Sequence, residues 1–318
     1  MAKISAIGWR GYFGGYDLSG DISSLGTINS SVAMQDVSDI TETAMERLML
    51  RRDGEIAINA ILNNSAGRSH AVLKTLPTTD IGVMIAAGAT AGDICAMLIA
   101  KQANYNYAIG ADGAAALSAQ ALSGAGAGLE WGNSVTAGKR QDTTATSSGT
   151  GIDLGLIPGV SAVTITGATA ASPTVVTTAT PHGYTSGDSV VIAGASQGTL
   201  NDEWTVTVTG ASTFTVPLNL GSSSTGGTVT KTSTNSGWAA QRQTFSFTGT
   251  SSTVTLQHAP KNAAASFVTI TGGSFTAATA LGTERITGAT PAILQRYVRV
   301  ITTGTFTEHT YAIGVARL

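Results

Sequence analysis

MQDVSDITETAMERLMLRRDGEIAINAILNNSAGRSHAVLKTLPTTDIGVMI (residues 34–85) carries most of the local charge, the clearest strand and the clearest short helix. Asp53-Gly54 is a turn signal, because glycine accepts positive φ at little cost. In the strand that follows, Ile56, Ile58, Ala60 and Leu62 share one face, and Glu55, Ala57, Asn59 and Ile61 the other. That period of two belongs to a half-buried strand. Asn63, Asn64 and Gly67 break it, and Ser69 is placed to cap a short helix holding Val72, Leu73 and Leu76, which Pro77 ends. From Asp80 the chain is extended again. The reading is strand, short helix, strand, packed as one unit. Upstream, Asp39 to Leu50 predicts a second short helix with Ala44, Met45 and Leu48 facing inward.

Outward from this stretch the composition sets the class. At 318 residues the chain exceeds the usual domain of roughly 100–150 residues, so two or three domains are expected. Only 11% of residues are charged, 39 are Gly, and Ser and Thr dominate the second half. This fits an all-β protein better than a helical or disordered one. The net charge of −2 hides a gradient. Residues 1–160 carry ten basic and fourteen acidic side chains, and residues 234–318 carry six basic and two acidic ones. No basic cluster argues for tight nucleic-acid binding. No apolar stretch approaches the roughly 18–20 residues that cross a bilayer, and MAKISAIGWRGYFGG does not read as a signal peptide. Synthesis and folding in a cytoplasm are expected.

Residues 1–30 interleave Gly and Ser with Trp9, Tyr12, Phe13 and Tyr16, the pattern of an arm that docks on a neighbouring subunit or folds back on its own domain. Residues 81–87, 95–108 and 113–123 read as strands, and 124–150 as loop ending in a Ser/Thr/Gly linker, where a first domain boundary is placed. From 159 to 233 five or six short β-type pieces follow, among them DSVVIAGA, EWTVTVTG and STFTVPL. Gly183, Gly187-Asp188 and Asn201-Asp202 supply turns, and Trp204 and Phe214 core. After it, Phe245, Phe247, Val254 and Leu256 alternate with polar residues.

Chemistry-bearing patterns are sparse. Cys95, the single cysteine, lies in an apolar run and reads as a small buried hydrophobe, with no disulfide and no thiolate zinc site to form. His70, His182, His258 and His309 are far apart, and no pair has helical metal-site spacing. His182 in PHGY is placed to pin its turn. Gly124-Ala-Gly126-Ala-Gly128 lacks the spacing and following helix of a dinucleotide loop. Asp39, Glu42 and Glu46 would share a face if helical, and Asp17 and Asp21 lie close in sequence. Solvated faces are the commoner fate of such carboxylates. Neither a catalytic residue nor a metal or cofactor site is expected, and an enzyme is not the reading.

AMERLMLRRDGEIAINAILN (44–63), HAVLKTLPTTDIGVMI (70–85), YDLSGDI near the start, KQANYNYAIGADGAAALSAQALSGAGAGLEWG (101–132) and TAGKR (136–140) together resemble the major tail protein of long-tailed, siphovirus-type bacteriophages. PHGYTSGDSVVIAGASQGTLNDEWTVTVTGASTFTVP is similar to a β-module that recurs as an insert in phage structural proteins. The C-terminal stretch resembles a β-sandwich that follows the tube domain in some of these proteins, where strands matched by TGIDLG and GWAAQRQTFSF run almost directly together. The resemblance makes much of 39–50 extended rather than helical.

What the resemblance implies is a mainly β chain. Residues 1–150 would form a tail-tube β-sandwich or split barrel with one short α-helix. Residues 151–158 plus 234–318 would form a discontinuous C-terminal β-sandwich, interrupted by a small inserted β-module at 159–233. The implied role is a structural virion protein, assembled with copies of itself as hexameric rings stacked into the tube that conducts DNA during ejection. Tape measure protein and genomic DNA would occupy the lumen without specific binding, and tail terminator and tail-tip proteins the ends, with no membrane partner. Lumen-facing acidic candidates are Asp17, Asp21, Asp36, Asp39 and Glu55, and Trp9, Tyr12, Phe13 and Tyr16 form the candidate inter-subunit arm. The alternative is a head decoration protein or a tail-tip adhesin that binds host-surface glycans.

Overall fold

A computed structural model of the chain describes residues 7–41, 43–77, 79–111, 113–146, 151–157 and 159–318. The molecule is mainly β, with one barrel-like, nearly closed sheet and a single short helix. The first part of the chain gives β1 (Arg10–Phe13), β2 (Tyr16–Asp17), β3 (Ile22–Asp36), β4 (Arg47–Ile61), α1 (Ser69–Leu73), β5 (Ile81–Ala86), β6 (Ile94–Ile109), β7 (Ala115–Ser123), β8 (Glu130–Ser134), β9 (Arg140–Asp142) and β10 (Ile152–Asp153). Seven short strands follow: β11 (Val163–Ala168), β12 (Thr174–Thr178), β13 (Ser189–Ala193), β14 (Glu203–Thr205), β15 (Thr207–Gly210), β16 (Thr213–Val216) and β17 (Thr228–Lys231). The last four are β18 (Gly237–Ala259), β19 (Val268–Ser274), β20 (Gly282–Ala289) and β21 (Tyr297–Arg317).

The alternation read in residues 54–62 is the spine of the barrel. Ile56, Ile58 and Ala60 of β4 are buried beside Leu117, Ala119 and Ala121 of β7, and Val83, Ile85, Ala96 and Leu98 close the same core from β5 and β6. Neighbours run β3-β4-β7-β6, then β6-β5-β1-β2, all antiparallel. Burying that one apolar face against the far wall is what folds the strands round, at about 25 cal/mol per Å² removed from water.

Three local expectations are corrected. Residues 39–50 are not a helix, because the segment is the turn and outgoing strand of a long hairpin, with Met34 opposite Met49 and Asp36 opposite Arg47. Asp53-Gly54 is not a turn, since both residues lie inside β4 opposite Ser31 and Ser30. Gly54 is required there by contact, because a Cβ would meet the Leu129 amide nitrogen at 2.5 Å and the Leu129 Cβ at 2.8 Å. Ser69 is the first helical residue and Arg68 the N-cap, and α1 ends at Leu73, one turn short of Pro77. The Ser69 hydroxyl instead donates to the Ile61 carbonyl at 2.7 Å, tying the helix to the end of β4.

The C-terminal strands continue the same sheet. β21 pairs with β18 along most of its length, and with β8, β9 and β10 on its other edge. Trp238, Val254, Leu256, Val298, Tyr311 and Ile313 form their core. β11–β17 form a separate seven-stranded sheet in the order β14-β13-β17-β11-β12-β16-β15, and its core of Val176, Val190, Ile192, Phe214 and Val229 is its own. His182 of PHGY is buried and holds the turn that follows it: the Tyr184 amide donates to His182 Nδ1 at 3.0 Å across Gly183, whose φ is +67°. Among the described residues no helix is long and apolar enough to cross a membrane.

Candidate functional site

The sheet β3-β4-β7-β6 has a buried face and a polar one. Register sets the polar face, since directly opposed residues of antiparallel strands share a side. One row runs Ser24, Asn59, Ser118, Asn106, and the next runs through Ala57, Gln120 and Asn104. A third runs Asn29, Glu55, Leu122, Lys101. The side chains bridge strands: Asn59 Nδ2 donates to Ser24 Oγ at 3.0 Å, Gln120 Nε2 to Glu55 Oε1 at 2.6 Å and Asn104 Nδ2 to Gln120 Oε1 at 3.3 Å. The one cation in these rows, Lys101, is engaged by Asp80 at 2.8 Å. Over these rows the face is a field of amides and hydroxyls with a carboxylate, and the cations of β4, Arg47, Arg51 and Arg52, are exposed further along toward the hairpin.

This sheet has an unpaired edge on each side. Among the described residues β3 pairs only with β4, and beyond Ala100, where pairing with β5 stops, β6 pairs only with β7. Open backbone donors and acceptors in a long edge are a template for a further strand. The ends of the sheet are apolar and opposed. At one end the β3–β4 hairpin reaches out with Met34 (59% exposed), Val37, Ile40, Met45 (62%), Leu48 and Met49 in solvent. At the other, the β6–β7 hairpin exposes Tyr107 and Ile109, beside Ile61 at the end of β4. So many exposed large hydrophobic groups on two hairpins mark a surface that is covered in use.

The acidic candidates are not gathered into one site. Glu55 lies on the polar face. Asp36 and Asp39 sit at the exposed hairpin turn, where Asp36 Oδ1 accepts from Ser38 N and Oγ, and Asp39 Oδ1 from Thr41 N and Oγ1. The Ser38 hydrogen bonds hold the Asp36 carboxyl below its usual value. Asp21 is 6% exposed and structural, accepting the Ser69 amide at 3.0 Å and Asn63 Nδ2 at 2.9 Å. Asp17 is half-buried. Burial alone would raise its pKa, but hydrogen bonds from Lys139 and Ser19 outweigh that and hold it low. Glu42 lies outside the described residues.

The four aromatics near the start are spent inside the chain. Tyr12 (1% exposed) meets Phe245 edge-on at 4.9 Å, Phe13 (2%) is core, and Trp9 and Tyr16 pack half-buried against that core. Sequence reasoning missed the β3–β4 hairpin as the outward-reaching element. Met45 and Leu48, which read as the inward face of a helix, stand in solvent here together with Val37 and Ile40.

Among the described residues no group of three or more His, Cys, Asp or Glu is placed to hold a metal ion. His258 and His309 are both driven down to about 4, by burial first. His309 lies between Ser252 Oγ at 2.9 Å and Thr244 Oγ1 at 3.2 Å. Burial raises the Cys95 thiol to about 12. His309 and Cys95 are fully buried, and His258 is partly buried at the rim of a cavity lined by Thr269, Ile270 and Ala292.

No family model and no curated protein matches the chain. Among solved structures it is similar to the SPP1 Dit protein, described as a paradigm of the hub adsorption apparatus in phages that infect Gram-positive hosts, at 10% identity and a TM-score of 0.27 over 97% of this chain and 98% of that one. It is also similar to a chain of the phage P2 baseplate in its activated conformation with calcium, at 10% identity and a TM-score of 0.27 over 98% of each chain. A TM-score of 0.27 lies below the level at which a common fold or role can be argued.

Proposed function

We propose that the chain is a structural subunit of a bacteriophage tail, assembling side by side into rings and end to end into a tube that conducts DNA. The observation that carries this reading is the pair of open edges on the β3-β4-β7-β6 sheet. Four antiparallel strands are an even number, so β3 and β6 run in opposite directions. Copies related by rotation about an axis along the strands would therefore set β3 of one against β6 of the next in antiparallel pairing. Such a head-to-tail contact closes into a ring, which abolishes both edges. The polar rows would line the ring, where amides, hydroxyls and Glu55 offer phosphates no cation, with Arg47, Arg51 and Arg52 set toward the hairpin end of β4. The opposed apolar hairpins would meet between rings.

In this reading residues 1–150 are the tube wall, 151–158 with 234–318 the outer sandwich, and 159–233 its insert. Tape measure protein and DNA would share the lumen. Of the lumen candidates Glu55 is retained, and Asp36 and Asp39 are assigned to the contact between rings. Six subunits per ring is the number implied by the resemblance in sequence.

Thr27 tests the edge. It is exposed and lies in the bulge between the Leu25–Ile58 and Ile28–Ile56 pairs, so it has no partner on β4. Proline is tolerated at bulges of edge strands and spoils the free edge for pairing. Thr27→Pro is expected to keep the native melting temperature and remain monomeric in sedimentation velocity while the parent chain associates. A variant that associates as the parent does would contradict edge pairing.

A further inference from the structure

We infer that the β11–β17 module is a releasable unit, clamped to the C-terminal sheet chiefly by the ion pairs of Lys261 and Arg296 and able to rotate about a hinge at Ser233–Thr234 when they are broken. The module shares no core cluster with the rest of the chain. Most of what joins the two is polar and gathered along its edge strand β14, while beside the return connection Arg317 Nη2 donates to the Thr232 carbonyl at 3.0 Å, Asn235 Nδ2 to Thr185 Oγ1 at 3.4 Å, and Ile293 packs over Gly187. Lys261 Nζ holds Asp202 Oδ2 at 2.6 Å and sits 5.0 Å from the Trp204 ring centre. The Arg296 guanidinium bridges Glu203 of the module and Asp153 of β10, the latter at 2.7 Å. The Tyr297 hydroxyl donates to Glu203 at 3.3 Å, and Gln295 Nε2 to Thr205 Oγ1 at 3.4 Å.

The two chain connections are built unequally. On the return side Thr232 and Ser233 are bonded into the module, through Ser189 and Asp188, whereas Thr234 is bonded in both directions to Leu294 of the sheet. The backbone amides change allegiance at this one peptide link, which makes a hinge, and the Arg317 bond to the Thr232 carbonyl is a further polar tie beside it. On the outgoing side Leu154 is held by the Arg296 carbonyl, but Gly155 and Gly159 both take positive φ in open space, and Leu156 and Val160 are exposed. Gly155 is tied to the sheet by its carbonyl, which accepts from Arg317 Nη1 at 3.1 Å, a polar contact and not a core one. Lys261 and Asp202 are both more than a third exposed, so salt screens their pair strongly.

The inference does not depend on the tube reading and is testable on the unassembled chain. Spin labels at Ser223→Cys in the module and Thr305→Cys on β21 report its orientation, since both sites are exposed and the native Cys95 is fully buried. A single narrow distance distribution is expected at low salt. Lys261→Glu, which sets a carboxylate against Asp202, and separately Arg296→Ala, are each expected to abolish the narrow peak in favour of a broad one. Adding Asp202→Lys to Lys261→Glu is expected to restore it. A distribution that stays narrow in both single variants overturns the clamp, as does a broadening that the charge swap fails to reverse.

Discussion

Asp21 is the residue on which the corner between β4 and α1 turns. Its carboxylate is buried and accepts the first amide of the helix and the Asn63 side chain, while its own carbonyl accepts Ile61 N–H at 2.8 Å. Asp21→Ala is expected to cost about 1–3 kcal/mol in urea unfolding, the penalty of a buried donor left without a partner. The buried histidines give a pH prediction. His258 and His309 fall from 6.5 to about 4 in the folded chain, so between those values the unfolded chain takes up protons that the folded one refuses. Stability therefore declines as pH falls from about 6.5 to about 4, and these two groups add no further loss below it. Melting temperatures across that range check the sign, and His309→Asn should flatten the slope. Sequence showed that His182 would pin a turn. It could not show how far His258 and His309 would be buried, because burial there is supplied by strands some 40 to 60 residues away in the chain.

At the scale of elements, period-two alternation made β4 legible and turn residues made the inserted strands legible. The β3–β4 hairpin was not, because its distal half is exposed on both faces, so no alternation marks it. Gly54 misled for a related reason: its need is the approach of Leu129 from a distant loop, which local rules cannot see. Gly54→Ala should destabilise the chain by about 1–3 kcal/mol through overpacking, measured by urea unfolding. Replacing Met45, Leu48 and Met49 together by Ser is expected to leave the melting temperature of the monomer within a few degrees, since exposed sites contribute little. It should abolish end-to-end growth seen by light scattering. A large loss of monomer stability would mean that the hairpin packs at home.

At the scale of the molecule, the class was legible from low charge and abundant Gly, Ser and Thr, while the sharing of strands was not. β21 pairs with strands on both sides of the inserted module, and its partners run from Asn133 of β8 to Ala259 of β18, which no local pattern connects. The module's self-contained core leads to a further expectation. Residues 159–233 expressed alone should unfold cooperatively, and the chain with that segment replaced by a short Gly-Ser linker should keep the barrel's near-native stability. The central claim is that the open edges of one four-stranded sheet close copies of the chain into rings that stack. Negative-stain electron microscopy of the purified protein over a concentration series tests it most directly: hollow rings, and at higher concentration hollow tubes with outward knobs, are the predicted result. A monomer or a compact, unhollowed oligomer at every concentration would contradict it.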